Sequence, residues 1–263
     1  MKRHPIRSAD DLYSFTPAHP PETIGNLDRI TIQENGEPLV DLRLACPAVL
    51  VRPLSSDKRT LHARASVAQR LERAQAAMQE NAPGHRIIVV DAWRSMSQQV
   101  FWHRLAKAVF RLRHPLWSAA MVREIANKYV AAPDGLAPSP HSTGGAIDVR
   151  LSNAVGKTVR MGPGTPAACR TAYAGLTLAQ RQNRHLLCAA LASAGFSNYE
   201  EEWWHWSYGD SGWALRMNQT HAFEGAGSAR ICRSVVPAKC LKTDRCLTHL
   251  LDQFQGYSQY AKR

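Results

Sequence analysis

The stretch Ser139-Pro-His-Ser-Thr-Gly-Gly-Ala-Ile-Asp-Val-Arg-Leu151 contains a turn, a strand and two side chains that commonly bind metals. Its glycine pair, beginning at Gly144, allows the backbone to turn sharply after His141. The run from 146 to 151 alternates between apolar residues and the charged Asp148 and Arg150, which predicts a strand. The Pro-rich segment before it predicts a loop that carries His141, while Asp148 lies on the strand.

A second motif, Glu202-Trp-Trp-His205, follows 54 residues after Asp148. A catalytic Zn²⁺ site uses three protein ligands and leaves one position open for water. His141, Asp148 and His205 provide two imidazoles and a carboxylate for such a site. Glu202 lies three residues before His205, close to the metal without being a ligand, as a general base must be. Together the two motifs predict a metal-dependent hydrolase.

Composition limits the classes of partner that we expect. The 263 residues are enough for one sizeable domain, or for a domain with an appendage. The formal net charge of +12 is high, but the lysines and arginines are spread along the chain. No short basic run and no nucleic-acid-binding motif accompanies them. We therefore expect a basic, solvated surface and no nucleic-acid partner.

The sequence predicts no insertion into a membrane. No apolar run approaches the roughly 18–20 residues that span a bilayer. Residues 1–7 are positively charged, but the polar segment 8–11 stands where a signal peptide needs its apolar core. We expect a cytoplasmic protein, or a periplasmic one if the true N-terminus differs.

The cysteines indicate no disulfide framework. The chain contains six, at positions 46, 169, 188, 232, 240 and 246, and none forms a Cys-x-x-Cys pair. Cys188 lies in an apolar helical stretch and is most simply a small core residue. Three of the others cluster near the C-terminus without a histidine at ligand spacing among them.

The chain alternates irregularly between helical and extended patterns. Apolar periodicity predicts helices near 61–80, 97–113, 118–130 and 178–194. The compact apolar run 86–91 predicts a central strand, and we also expect strands at 146–151, 196–199 and 202–208. Strict strand–helix–strand repetition and a glycine-rich phosphate loop are both missing from the sequence. The class predicted is therefore α+β rather than a doubly wound sheet.

The two metal motifs resemble those of the D-alanyl-D-alanine dipeptidases associated with vancomycin resistance. That family belongs to the zinc D,D-peptidases, which share a fold with the hedgehog signalling domain. The resemblance covers about residues 40–220. Further matching segments are Val90-Asp-Ala-Trp-Arg-Ser95, Gly195-Phe196 and Ser207-Tyr-Gly-Asp210.

The resemblance implies a fold and a division of the chain. The fold is one α+β domain with a central, largely antiparallel sheet flanked by helices. The expected divisions are an irregular N-terminal lead-in over 1–39, a zinc D,D-peptidase domain over 40–224, and a basic, cysteine-containing, partly ordered tail over 225–263. The tail has no counterpart in the family.

The resemblance also implies roles for particular residues. His141, Asp148 and His205 correspond to the ligands of one Zn²⁺ per chain, and Glu202 to the catalytic base. Arg94 corresponds to the residue that stabilises the oxyanion of the tetrahedral intermediate. The substrate would be a small dipeptide, D-Ala-D-Ala, hydrolysed by metal-activated water.

Some of these positions have plainer explanations. Arg94 can form a structural ion pair with Asp91. Ser139 can hydrogen-bond a substrate carboxylate or only shape the loop, and Trp204 can contact substrate or only pack within its tryptophan cluster.

One departure leaves the substrate open. Family members show Met-Gly followed shortly by Phe-Asp, and that aspartate meets the substrate's ammonium group. Here Met161-Gly162 is followed by Pro-Gly-Thr-Pro-Ala-Ala. Dipeptide specificity, biological role (resistance, wall recycling or nutrition) and oligomeric state stay open. The alternative functions are a D,D-carboxypeptidase that trims stem peptides and an inactive, zinc-stabilised binding protein. Glu202 and Arg94 argue against the latter, because neither is needed to hold a metal.

Overall fold

The computed structural model describes residues 17–53, 61–162 and 175–223. Its strands are β1 (Thr31–Ile32), β2 (Leu39–Asp41), β3 (Leu50–Val51), β4 (His62–Arg64), β5 (Arg86–Asp91), β6 (Ala146–Ser152), β7 (Ser197–Asn198), β8 (His205–Ser207) and β9 (His221–Ala222). Its helices are α1 (Ile24–Leu27), α2 (Leu42–Ala45), α3 (Ala65–Asn81), α4 (Met96–Arg113), α5 (Ala119–Asn127), α6 (Pro140–Thr143), α7 (Leu178–Ser193) and α8 (Ser211–Arg216).

Five strands form the central sheet, in the order β3-β5-β6-β8-β7. The pairs β5–β6, β6–β8 and β8–β7 are antiparallel, and only the edge pair β3–β5 is parallel. Two small two-stranded sheets, β1–β9 and β2–β4, lie beside it. The predicted α+β class with a largely antiparallel central sheet is confirmed.

Strand β5 lies between β3 and β6 in this sheet, and it is apolar on both faces. Its four central residues, 87–90, are all buried. Buried strands of this kind read as continuous apolar runs rather than as an alternating pattern. Helices α3 and α7 pack against each other in the same core cluster, which also contains Cys46 and Cys188. Cys188 is thus a core residue, as the sequence predicts.

The helices agree closely with their sequence patterns. The capping box that Ser95 forms with Gln98 begins α4, and the one that Thr177 forms with Gln180 begins α7. Helix α3 begins at Ala65, later than predicted, because residues 62–64 pair with β2. Helices α4 and α5 form a hairpin around a separate apolar cluster that includes Phe110.

Two predicted local structures near the motifs were wrong. His141 lies in the single helical turn α6, not in a loop, and the proline at its first position suits a helix start. The strand predicted over 202–208 begins only at His205. The amide of Glu202 donates to the carbonyl of Tyr199, and the amide of His205 donates to the carbonyl of Glu202, so the chain turns there.

The described part of the predicted lead-in, residues 17–39, forms the short helix α1 and the strand β1. Strand β1 pairs in parallel with β9, at the far end of the described chain. The amide of Gln33 donates to the carbonyl of Ala222, which extends the contact. This segment is therefore more regular than its composition predicts.

Several predictions fall on residues outside the described ranges. These are the tail 225–263 and most of the loop after Met161. The domain boundaries stay predictions. Among the described helices, none has the length and apolar character that a membrane crossing requires.

Candidate metal centre

Three elements bring His141, Asp148 and His205 together. Asp148 on β6 and His205 on β8 are directly paired residues of adjacent antiparallel strands. His141 lies on α6, which leads into β6 through a turn at Gly144. Their ligand atoms all lie within 4.8 Å of one another, in a group that can hold a metal ion.

The turn after His141 requires glycine for two reasons. Gly144 has a φ of 82°, a left-handed conformation that side chains disfavour. A Cβ atom there would also lie 2.5 Å from Leu39 Cδ2. Both the backbone conformation and the close approach of Leu39 fix the position of α6 relative to β6.

Both imidazoles point at one carboxylate oxygen. His205 Nδ1 lies 3.0 Å from Asp148 Oδ1, and His141 Nε2 lies 3.3 Å from the same atom. The two imidazole ring centroids are 4.9 Å apart. All three residues are buried, and the described site therefore contains two nitrogen donors and an oxygen donor in a largely enclosed position.

A main-chain contact fixes the tautomer of His141. Its Nδ1 lies 2.6 Å from the carbonyl oxygen of Ala92, at the end of β5. A carbonyl oxygen only accepts, so Nδ1 must carry the hydrogen and donate it. Nε2 is then the ring nitrogen that can bind a metal, and it lies 3.3 Å from Asp148 Oδ1. Metal-binding histidines commonly donate their other N–H in this way, which orients the ring.

Charge in the site favours an ionised aspartate. Burial opposes ionisation of Asp148, but the imidazoles of His141 and His205 hold its pKa well below the ordinary range. Burial lowers the pKa of His205, although its hydrogen bond to Asp148 opposes that shift. The carboxylate of Asp148 is therefore favoured in the ionised form that binds metals, and burial favours the neutral form of His205.

Arg94 is held at the edge of the site by Asp91. Its Nε donates to Asp91 Oδ2 at 2.8 Å, and its Nη2 lies 2.6 Å from the same oxygen. The same Nη2 is 3.7 Å from Asp148 Oδ2. Burial lowers the pKa of Arg94, but Asp91, Asp148 and Glu202 outweigh that effect and raise it. The structural ion pair of Arg94 with Asp91 is present, and it leaves the guanidinium beside Asp148.

Glu202 reaches the site from the turn before β8. Its Oε2 lies 4.0 Å from His205 Nδ1. Burial, reinforced by the negative charge of Asp148, raises its pKa well above the ordinary value, while Arg94 opposes the shift. A raised pKa makes a carboxylate a better proton acceptor. Of its two acidic neighbours, Glu200 has its Oε1 3.3 Å from His19 Nε2, and Glu201 is exposed.

The two proposed substrate contacts differ in their surroundings. Ser139 is 3% exposed, and among the described residues its Oγ has no hydrogen-bond partner. Trp204 is partly buried against the core cluster, with its ring edge-to-face against Trp203. Packing accounts for Trp204, whereas the hydroxyl of Ser139 lacks an internal role.

Sequence reasoning missed the contribution of Ala92 and of Tyr199. A main-chain acceptor such as the Ala92 carbonyl leaves no signal in the residue type. The Tyr199 ring lies edge-on to His205, with ring centroids 6.1 Å apart. Its position just before three glutamates was the available signal, but only the turn at Glu202 brings the ring to the histidine.

Comparison with known proteins gives a clear match in sequence. The family model described as D-ala-D-ala dipeptidase matches residues 39–224. The chain is also 30% identical over 222 residues to the D-alanyl-D-alanine dipeptidase of Synechocystis sp. (strain ATCC 27184 / PCC 6803 / Kazusa). That alignment covers 73% of this chain and 90% of the relative.

Two solved structures are more distant. One is a mutant of the vancomycin resistance D,D-pentapeptidase VanY, from a VanB-type resistance cassette, in complex with Zn(II). It is 14% identical with a TM-score of 0.39, covering 60% of this chain and 80% of that chain. The other, the LdcB LD-carboxypeptidase, is 17% identical with a TM-score of 0.38, covering 61% and 67%. Similarity at this level carries no argument about fold or function.

The described residues thus contain a buried His/Asp/His group that can hold a metal ion, with a glutamate beside it, on an α+β fold. The chain belongs to the D-ala-D-ala dipeptidase family of peptidases. The family resemblance predicted from the motifs is confirmed.

Proposed function

We propose that the protein hydrolyses the dipeptide D-Ala-D-Ala to two D-alanines in a zinc-dependent reaction. Membership of the dipeptidase family and the name of the Synechocystis relative support the substrate. The observation that carries the proposal is the convergence of His141, Asp148 and His205 within 4.8 Å, with Glu202 beside them.

The residues present fit a zinc ion. Nitrogen and carboxylate oxygen donors suit Zn²⁺, and three protein ligands are typical of catalytic sites. Nε2 of His141 and Nδ1 of His205 would bind it together with the carboxylate of Asp148. The hydrogen bond from His141 to the Ala92 carbonyl supplies the outer support that such ligands commonly have. When bound, the ion would polarise the substrate carbonyl and lower the pKa of an attacking water.

Glu202 acts as the general base in this proposal. Its carboxylate accepts a proton from the attacking water and then donates that proton to the leaving amine nitrogen. Burial suits it to the first step, because its raised pKa increases its affinity for the proton, and the leaving amine is basic enough to take that proton in the second. Glu200 and Glu201 are unsuited, since one pairs with His19 and the other is exposed.

Arg94 stabilises the negative charge that develops on the carbonyl oxygen. The ion pair with Asp91 fixes the guanidinium, so no reorganisation is needed as the charge appears. The loss of one such donor typically costs about 3 kcal/mol of transition-state stabilisation.

Ser139 binds the substrate in this proposal. Its buried, unpartnered hydroxyl can donate to the C-terminal carboxylate of the dipeptide. A contact with Trp204 is a weaker part of the proposal, because packing already accounts for that ring.

The test compares free D-Ala-D-Ala with a pentapeptide that ends in D-Ala-D-Ala. Each would be assayed with metal-free protein and after addition of Zn²⁺. We expect zinc-dependent release of D-alanine from the dipeptide, with much lower turnover of the pentapeptide. Preference for the pentapeptide would instead indicate a D,D-carboxypeptidase, and zinc binding without turnover of either would indicate a binding protein.

A further inference from the structure

Two fully buried arginines each form an ion pair with a glutamate from residues 17–38. Nη1 and Nη2 of Arg64 contact Glu34 Oε1 and Oε2 at 2.5 and 2.9 Å, a two-pronged pair. Nη1 of Arg216 contacts Glu22 Oε2 at 2.6 Å. The arginine side chains are 0% and 1% exposed. A buried guanidinium needs such a partner, since an unpaired charge inside a protein is costly.

Arg64 also holds the segment that carries His141. Its Nε donates to the carbonyl oxygen of Thr143 at 2.8 Å, at the end of α6. Its backbone amide donates to the carbonyl oxygen of Gly144 at 3.0 Å. One side chain thus links Glu34 to the helical turn on which His141 lies.

Arg216 makes the equivalent connection to the strand that carries His205. Its Nη2 donates to Ser207 Oγ at 2.6 Å, and its Nε donates to Ser197 Oγ at 2.9 Å. Ser207 lies two residues after His205 on β8, so the two side chains share one face of the strand. Glu22 is therefore linked through one arginine to the strand of the second histidine.

Both glutamates precede residue 39, where the family match begins. We propose that residues 17–38 position the two metal-binding histidines through the ion pairs Glu34–Arg64 and Glu22–Arg216. Glu22, Glu34 and the two arginines are positioning residues, since none of them belongs to the His/Asp/His group. The inference rests on the proposed zinc site and adds to it a segment that lies outside the family match.

The consequence is a weaker metal site when a glutamate loses its charge. Glu34→Gln leaves Arg64 buried without a matching charge, so its guanidinium must move or become hydrated. The hydrogen bond to Thr143 then weakens, and α6 loses one of the contacts that hold it. Outer partners of metal ligands typically affect metal affinity by about 10–100-fold, and we expect a loss of about 10-fold for each glutamate.

The experiment measures zinc affinity by competition with a chelator, on the full chain, at a temperature where circular dichroism shows every variant folded. The visible spectrum of the Co²⁺-substituted protein reports ligand geometry independently of activity. We expect Glu34→Gln and Glu22→Gln to weaken zinc and alter the spectrum. Glu37→Gln is the matched control, because it removes a charge from the same segment but keeps an oxygen to accept from the Ser66 amide.

A double variant separates positioning from stability. Glu34→Gln with Arg64→Met replaces the buried pair by groups without charge, which commonly restores stability. The donor to Thr143 is still missing, so we expect thermal stability to recover while zinc affinity stays low. Recovery of both together would overturn the proposal.

Two further results would distinguish a failure of this inference from a failure of the proposed function. Parent-like zinc affinity and spectrum in both single variants would overturn the inference while leaving the zinc site intact. A parent protein that binds no zinc would refute the proposed function itself. If Glu34→Gln does not fold, Glu34→Asp replaces it in the experiment, because it keeps the charge on a shorter side chain. The Glu34→Asp protein should bind zinc more weakly than the parent, because the shorter side chain loses part of its contact with Arg64.

Discussion

The central sheet and the turns around it contribute to the site in different ways. Asp148 and His205 meet because β6 and β8 are adjacent strands in register. His141 and Glu202 lie on turns, where a few hydrogen bonds to main-chain atoms hold them. Strand pairing thus fixes the positions of residues on the sheet. Residues on turns depend instead on particular contacts.

The largest effect should come from a ligand on the sheet. We expect His205→Ala to lose zinc and, with it, turnover, because two remaining ligands hold the ion poorly. Metal analysis after dialysis, together with the D-Ala-D-Ala assay, checks this. His221→Ala, a histidine on β9 outside the site, should keep both properties. Full zinc occupancy in His205→Ala would remove that residue from the ligand set.

A smaller effect should follow from the carboxylate on the turn. Glu202→Gln keeps the shape of the side chain but cannot accept a proton, so kcat should fall by about 10²–10⁴-fold while zinc stays bound. Glu201→Gln is the control and should keep nearly full turnover, because Glu201 is exposed. Loss of zinc in Glu202→Gln would make Glu202 a ligand, and a larger defect in Glu201→Gln would reassign the base.

Arg94 tests the connection between β5 and α4. Arg94→Lys keeps the positive charge but loses the planar group that contacts Asp91 through two nitrogens. We expect kcat to fall by about 10²–10³-fold with zinc affinity at the parent level. Unchanged kcat would leave Arg94 with only its structural ion pair.

The smallest effect should come from removing the tail. Residues 225–263 lie beyond the last motif and beyond the family match, which ends at residue 224. Termini are where tolerance to change concentrates. A chain ending at 224 should keep its zinc content and its turnover. An unfolded product would show that the tail packs on the rest of the chain.

The same contrast explains what could be predicted from the sequence. The bounds of β5 and β6 followed from local patterns, since the alternation or continuity of apolar residues acts over a few positions. The turn at Glu202 could not be predicted from such patterns, because the aromatic-rich segment around it has the composition of a strand. The ion pairs of Glu22 with Arg216 and of Glu34 with Arg64 join positions 194 and 30 residues apart. Local sequence patterns cannot predict contacts between residues so far apart in the chain.

The Ala92 carbonyl, which accepts the hydrogen bond from His141, makes one part of the site resistant to mutation. A single substitution can remove a hydrogen-bond acceptor that belongs to a side chain. An acceptor on the main chain is present whatever residue occupies the position. A substitution that changes the ring orientation of His141 through this contact must therefore act indirectly, by displacing the end of β5. Ala92 is fully buried, so larger residues there would have that effect. Screens for inactive variants should find position 92 sensitive to the volume of its side chain.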